Sequence, residues 1–148
     1  MQKMDRFVLV LLVLALAGCG GSGTGGPAGT SSVDYAAVRS MSSLYSQYLR
    51  THGDRTPADE KVFRDYLATK QQDLERAGIT VDKMFTSPRN DQPLVWVYGS
   101  IPPSSAELGR CFAYEAASTD GKRFVIADAG RFALMDEAQF KTVFPNVR

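Results

Sequence analysis

For residues 33 to 148 the sequence predicts an α+β fold: two N-terminal helices packed on one face of a small antiparallel sheet of about four strands, with a short C-terminal helix. Three observations carry this. Apolar residues recur at helical spacing between Ala37 and Ala77, every second residue is large from Phe112 onward, and Gly, Asp and Pro punctuate the steps between. Helices followed by a run of strands is an α+β order, unlike the strand-helix alternation of a parallel sheet.

The first helix is marked by Ala37, Met41, Leu44 and Tyr48, with Val38 and Tyr45 beside them, and Arg39, Ser42, Ser43, Ser46 and Gln47 supply its wet side. It ends near Arg50, ahead of His52-Gly53-Asp54. The second opens with Thr56 as N-cap, Pro57 at the first helical position and Asp59 and Glu60 in the first turn, where negative charge suits the helix dipole. Phe63, Leu67, Leu74 and Ala77 form its buried stripe, and Gly78 stops it. A turn with Met84 and Phe85 and a loop from Thr86 to Pro93 lead to the first strand, Leu94 to Tyr98, rich in Val and aromatics. Pro102-Pro103 keeps the next connection, Gly99 to Gly109, out of a sheet. Three strands follow at about 111–117, 122–127 and 131–135. Asp136, with Gln139 three residues on, caps a last helix that lays Phe140 and Phe144 onto the core before Pro145.

Side-chain size fixes an expected register, because a one-residue slip would swap the two faces of a strand. Phe112, Tyr114, Phe124, Ile126, Phe132 and Leu134 form the large set, and keeping it together predicts three-residue loops at Thr119-Asp120-Gly121 and Asp128-Ala129-Gly130. Tyr114 then faces Ile126, Ala116 faces Phe124, Ile126 faces Phe132 and Phe124 faces Leu134. The other face carries Ala113, Glu115, Ala117, Arg123, Val125, Ala127, Arg131 and Ala133. Small residues with a few charges let another backbone approach closely, so this face is the expected docking surface for a protein partner.

Residues 1–19 speak of export. Lys3 and Arg6 precede eleven apolar residues, Phe7 to Ala17, which match the n- and h-regions of a signal peptide. As a helix that run covers only about 16 Å, against the roughly 30 Å of a bilayer core. Leu16-Ala17-Gly18-Cys19 then places a thiol at the expected cleavage point. The stretch resembles the lipobox of bacterial lipoproteins, which implies cleavage between Gly18 and Cys19 and a lipid on the Cys19 sulfur. Gly20, where an Asp would resemble an inner-membrane retention signal, points to the outer membrane in a cell that has two. Gly20 to Ser32 contains only Gly, Ser, Thr, Pro and Ala, the composition of a flexible tether with a reach of roughly 20 Å and a stretched limit of about 45 Å. Its glycines imitate a phosphate loop, but no strand precedes them and no helix follows directly.

The order of elements, with Phe85-Thr86-Ser87-Pro88-Arg89 leading into Leu94-Val95-Trp96-Val97-Tyr98-Gly99, is similar to the globular heads of bacterial pilin-like and pseudopilin proteins. In that family helical segments pack on one face of a small antiparallel sheet. The chain departs from it by carrying a lipobox in place of a methylated N-terminal helix.

Lys3, Arg6 and Asp5 leave with the signal, so the 17 basic and 16 acidic residues of the whole chain become formally balanced. No Lys/Arg cluster is evident along the chain, and nucleic acid is not an expected partner. Catalytic groups are sparse. His52 is the only histidine, and with Cys19 committed to lipid, Cys111 has no partner for a disulfide and is expected to be buried. No Gly-x-Ser-x-Gly elbow or calcium loop is present, and Ser40, Ser42, Ser43 and Ser46 fall on the outside of a helix. The expectation is therefore a lipid-anchored envelope lipoprotein that binds an envelope protein partner without catalysis, cofactor or metal. A structural envelope component, a pseudopilin-like assembly subunit and a hydrolase are the competing readings.

Overall fold

In a computed structural model the described residues are 33–147, so the signal pattern with Gly18 and Cys19, the whole tether from Gly20 to Ser32, and residue 148 lie outside them. Helix α1, Tyr35–Thr51, begins where the Asp34 carboxylate accepts hydrogen bonds from the Ala36 and Ala37 amides, both at 3.0 Å. The second helix departs from expectation. Its cap is Asp59, which accepts from the Val62 amide at 2.9 Å, so α2 runs Glu60–Ala68. Thr56 instead donates to the Ser100 carbonyl at 2.8 Å and accepts from the Ser100 amide at 3.1 Å, joining two loops. The expected continuous helix to Gly78 is also divided. Thr69 turns its hydroxyl back onto the Tyr66 carbonyl at 2.7 Å, and α3, Gln71–Ala77, starts afresh. Gly78 ends it in the left-handed conformation at φ 66°, as its position predicts.

A 3-10 turn at Asp82–Phe85 leads to the sheet. Its strands are β1 (Leu94–Trp96), β2 (Ser104–Ser105), β3 (Gly109–Glu115), β4 (Lys122–Ala127) and β5 (Phe132–Asp136). Their order is β1-β3-β4-β5, all neighbours antiparallel, and β2 pairs with the beginning of β3. The short β2 lies in the connection expected to contain no strand. It begins just after Pro102-Pro103 and pairs through only two residues.

The β4–β5 register is the expected one, with Ile126 opposite Phe132 and Phe124 opposite Leu134 across the loop Asp128-Ala129-Gly130. The β3–β4 register is not. Thr119 bridges Lys122, so the turn is the two-residue Asp120-Gly121, both at positive φ. Tyr114 faces Val125 and Ala113 faces Ile126, instead of Tyr114 facing Ile126 and Ala116 facing Phe124. A further shift between Cys111 and Ala113 is a bulge, which places Phe112 and Ala113 in the same core cluster and returns Cys111 and Tyr114 to the other.

Two apolar clusters result. One joins Val38, Met41, Tyr45 and Leu49 of α1, Phe63 and Leu67 of α2 and Leu74 of α3 to Trp96, Phe112, Phe124 and Ile126. At its centre Tyr45 stacks on Trp96 with ring centroids 5.1 Å apart and donates its hydroxyl to the Val97 carbonyl. The second joins Cys111, Val125, Ala127 and Met135 to Phe140 and Phe144, residues carried by the C-terminal helix α4 (Glu137–Val143) and its cap. Asp136 and Gln139 form the predicted capping box at the head of α4, at 2.8 and 3.0 Å. Among the described residues no helix is long and apolar enough to cross a membrane.

Candidate functional site

The sheet face expected to dock a partner is covered by the protein itself. Ala113, Glu115, Val125 and Ala127 are fully buried, Arg123 and Ala133 are half-buried, and Ala117 and Arg131 are exposed. Two causes combine. The bulge in β3 sends Ala113 into the helical cluster, and α4 lays Phe140 and Phe144 over Val125 and Ala127, with both phenyl rings about Tyr114 at 5.1 and 4.8 Å.

The charges of that face are also committed internally. The Glu115 carboxylate accepts from the Ser87 hydroxyl at 2.8 Å, the Phe124 amide at 3.0 Å and the Arg89 guanidinium at 3.1 Å. Arg123 lies over the Phe140 ring at 4.6 Å, pairs with Glu137 at 2.8 Å and donates to the Ala116 carbonyl at 2.7 Å. Arg131 pairs with Asp128 and reaches the Glu107 carbonyl at 3.2 Å. All three charges are paired within the described residues.

Unengaged donors gather elsewhere, where α1 meets the β4–β5 loop. Ser42 is 1% exposed, donates to the Ala127 carbonyl at 2.8 Å and accepts from the Gly130 amide at 3.1 Å, which fixes the loop against the helix. Gly130 allows that approach, since a Cβ there would lie 2.8 Å from Arg39 Cγ and 3.2 Å from Arg39 Cα. The groove between them encloses about 520 Å³ and is lined on the helix side by Arg39, Ser43, Ser46 and Arg50. These four side chains make no hydrogen bond or ion pair with a described residue. Beyond Arg39 and Ser43 a second polar groove of about 410 Å³ continues along α1 towards α3, past Ser40 and Gln47. Arg39, Ser43, Ser46 and Gln47 belong to the expected wet side of α1, whereas Ser42, expected outside, is buried. The available signal was spacing: positions 39, 43, 46 and 50 share one face of a helix, with an arginine at each end.

The remaining chemical candidates are engaged within the fold. His52 follows α1 as its C-cap, with Nδ1 2.8 Å from the Tyr48 carbonyl and its ring stacked on Tyr48 at 3.9 Å. Cys111 is buried in the second cluster, as its strand position predicts, and burial pushes its thiol up to about 11. Among the described residues no group of three or more His, Cys, Asp or Glu side chains is placed to hold a metal ion.

Comparison with protein-family models, curated proteins and solved structures returned no match. The likeness to pilin-type heads therefore rests on element order and short segments alone. What the site can do must come from its own groups, which are two guanidinium cations and two hydroxyls facing an open polar groove.

Proposed function

We propose that the chain is a lipid-anchored, non-catalytic binding module of the bacterial cell envelope, held to a membrane through acylated Cys19 and presenting the α1 groove to an envelope component. The observation that carries this reading is Leu16-Ala17-Gly18-Cys19 directly after two cations and eleven apolar residues, followed by a Gly/Ser-rich tether. A thiol is the strong nucleophile that lipid transfer needs, and Ala17 and Gly18 are small enough for a peptidase cleft. Binding is supported by the donors of Arg39, Ser43, Ser46 and Arg50, which have no hydrogen-bond or ion-pair partner among the described residues, while the charges of the sheet face are paired within the fold. In this reading α1 with the divided second helix forms one layer on the sheet face that carries Phe112, Phe124 and Ile126.

Each buried methylene contributes about 0.8 kcal/mol, and two or more acyl chains make a stable anchor. The mature protein is expected to pellet with membranes and to carry lipid mass on Cys19, and Cys19→Ala is expected to release it or leave the precursor uncut. Processed protein that is soluble and bears no lipid on Cys19 would overturn the anchor.

A further inference from the structure

We infer that the α1 groove binds an acidic oligosaccharide, a run of sugar hydroxyls carrying anionic groups at intervals. This names the ligand of the binding module proposed above and rests on that reading. Arg39 and Arg50 are eleven positions apart on one helix face, or about 16 Å at 1.5 Å per residue. That is the separation of their Cα atoms along the helix, and anionic groups repeated along a chain match two cations spread over it. Between them stand Ser43 and Ser46, whose hydroxyls both donate and accept and so complement a ligand that is itself rich in hydroxyls. The volume, about 520 Å³, is that of a site for an extended organic ligand. Asp128 is the one acid on the wall, and its pairing with Arg131 leaves the groove a net surplus of two positive charges from Arg39 and Arg50.

Other anionic classes fit less well. No aromatic side chain lines the groove to stack a nucleic-acid base, and no large apolar side chain lines it to hold an acyl chain. The β5 backbone begins only after Arg131, so an acidic peptide finds no strand edge among the lining residues to extend. The adjoining groove past Ser40 and Gln47, where Leu44, Ala77 and the paired Asp73 and Arg76 join the wall, extends the site along α1, which suits an oligomer rather than a single sugar.

The test uses the full processed chain in an uncharged polyoxyethylene detergent, titrated calorimetrically with oligogalacturonate, with a neutral dextran oligomer and with oligoglutamate. Oligogalacturonate is expected to bind, and the other two to bind at least tenfold more weakly. Arg39→Gln and Arg50→Gln should each weaken binding about tenfold or more, the loss of one hydrogen-bonded charge contact. Both side chains are exposed, so thermal melts of the variants should match the parent. Ser43→Ala with Ser46→Ala should weaken oligogalacturonate further without changing the residual oligoglutamate binding. No binding of oligogalacturonate, equal binding of dextran, equal binding of oligoglutamate, or arginine variants without effect would each overturn the proposal. Membrane pelleting of the same protein is read separately, so a chain that is anchored but binds no uronate rejects the ligand and leaves the anchor standing.

Discussion

The Arg89 guanidinium stands 3.1 Å from the Glu115 carboxylate, with the Glu115 side chain 0% and the Arg89 side chain 11% exposed. This pair closes the loop between the 3-10 turn and β1 onto the centre of the sheet, since Ser87 from the same loop and the Phe124 amide of β4 share the carboxylate. Its energetics differ from those of the surface pairs. Lys61 and Asp65 are closer, at 2.6 Å, but 82% and 65% exposed, and such pairs contribute only about 0 to 1 kcal/mol.

Breaking the buried pair should therefore be costly in a way that removing it whole is not. Arg89→Met leaves a buried carboxylate one cation short, and a loss on the order of 3 to 5 kcal/mol is expected. Arg89→Met with Glu115→Gln, which removes both charges and keeps a side-chain oxygen for the Phe124 amide and a polar partner for Ser87, should recover most of that loss. Urea denaturation of the single and double variants measures both, and a single-variant loss under about 1 kcal/mol would show that the pair is not effectively buried.

Tyr45 and Tyr98 offer a matched comparison of buried hydroxyls. Tyr45 donates to the Val97 carbonyl, while the Tyr98 hydroxyl has no hydrogen-bond partner among the described residues, and burial pushes both phenols well above their ordinary range. Tyr45→Phe should destabilise by about 1 to 2 kcal/mol, because the Val97 carbonyl is left unpaired. Tyr98→Phe should be neutral or stabilising, since it removes an uncompensated polar group. Equal losses in thermal denaturation would refute the distinction.

These particulars show what the sequence could and could not disclose. The β4–β5 hairpin was legible because Gly130 ends a loop between two strands whose large residues alternate without interruption. The neighbouring hairpin was not, because strict alternation has no place for the extra residue at Phe112-Ala113, and one bulge changes which residues share a face. That error moved Ala113 and Tyr114 to the wrong faces and produced a docking surface that α4 in fact covers. The second helix is expected to start at Thr56 with Asp59 and Glu60 in its first turn, but Thr56 is held by a tertiary bond to Ser100 that no local pattern reveals, and Asp59 caps the helix instead. The stripe from Arg39 to Arg50 was visible as a helix face. What lies opposite it, the β4–β5 loop some eighty residues on, follows from the fold.

The approach of that loop to α1 can be tested with two glycines of the same backbone conformation. Gly121 and Gly130 both have φ 72°, so an alanine at either carries the conformational cost of roughly 1 to 2 kcal/mol. Gly121 has open space around it, whereas a Cβ at Gly130 meets Arg39. Gly130→Ala should therefore cost about 1 to 3 kcal/mol beyond Gly121→Ala, by urea denaturation. Equal costs would mean that the loop does not bear on the helix.

Cys111 supplies a pH dependence whose sign is fixed by its burial. Its thiol is pushed up from its ordinary value to about 11 in the folded chain, mainly by desolvation. The unfolded chain then loses this proton first as pH rises, so between the two values it binds fewer protons than the native state and stability falls with pH. The contribution is fully present below about pH 8.5, the ordinary thiol value, and is lost progressively as pH climbs towards 11. Buried tyrosines act in the same direction, but only above their ordinary value of about 10. The interval from about pH 8.5 to 10 therefore reports mostly on Cys111. Cys111→Ala should flatten the decline of denaturation midpoint across that interval and leave the steeper decline above it. The same burial should keep the folded thiol from reacting with a maleimide at pH 7, with labelling appearing only as the chain unfolds. A variant whose midpoint falls as steeply as the parent's between pH 8.5 and 10, or a thiol labelled rapidly in the folded protein, would place Cys111 outside the second core.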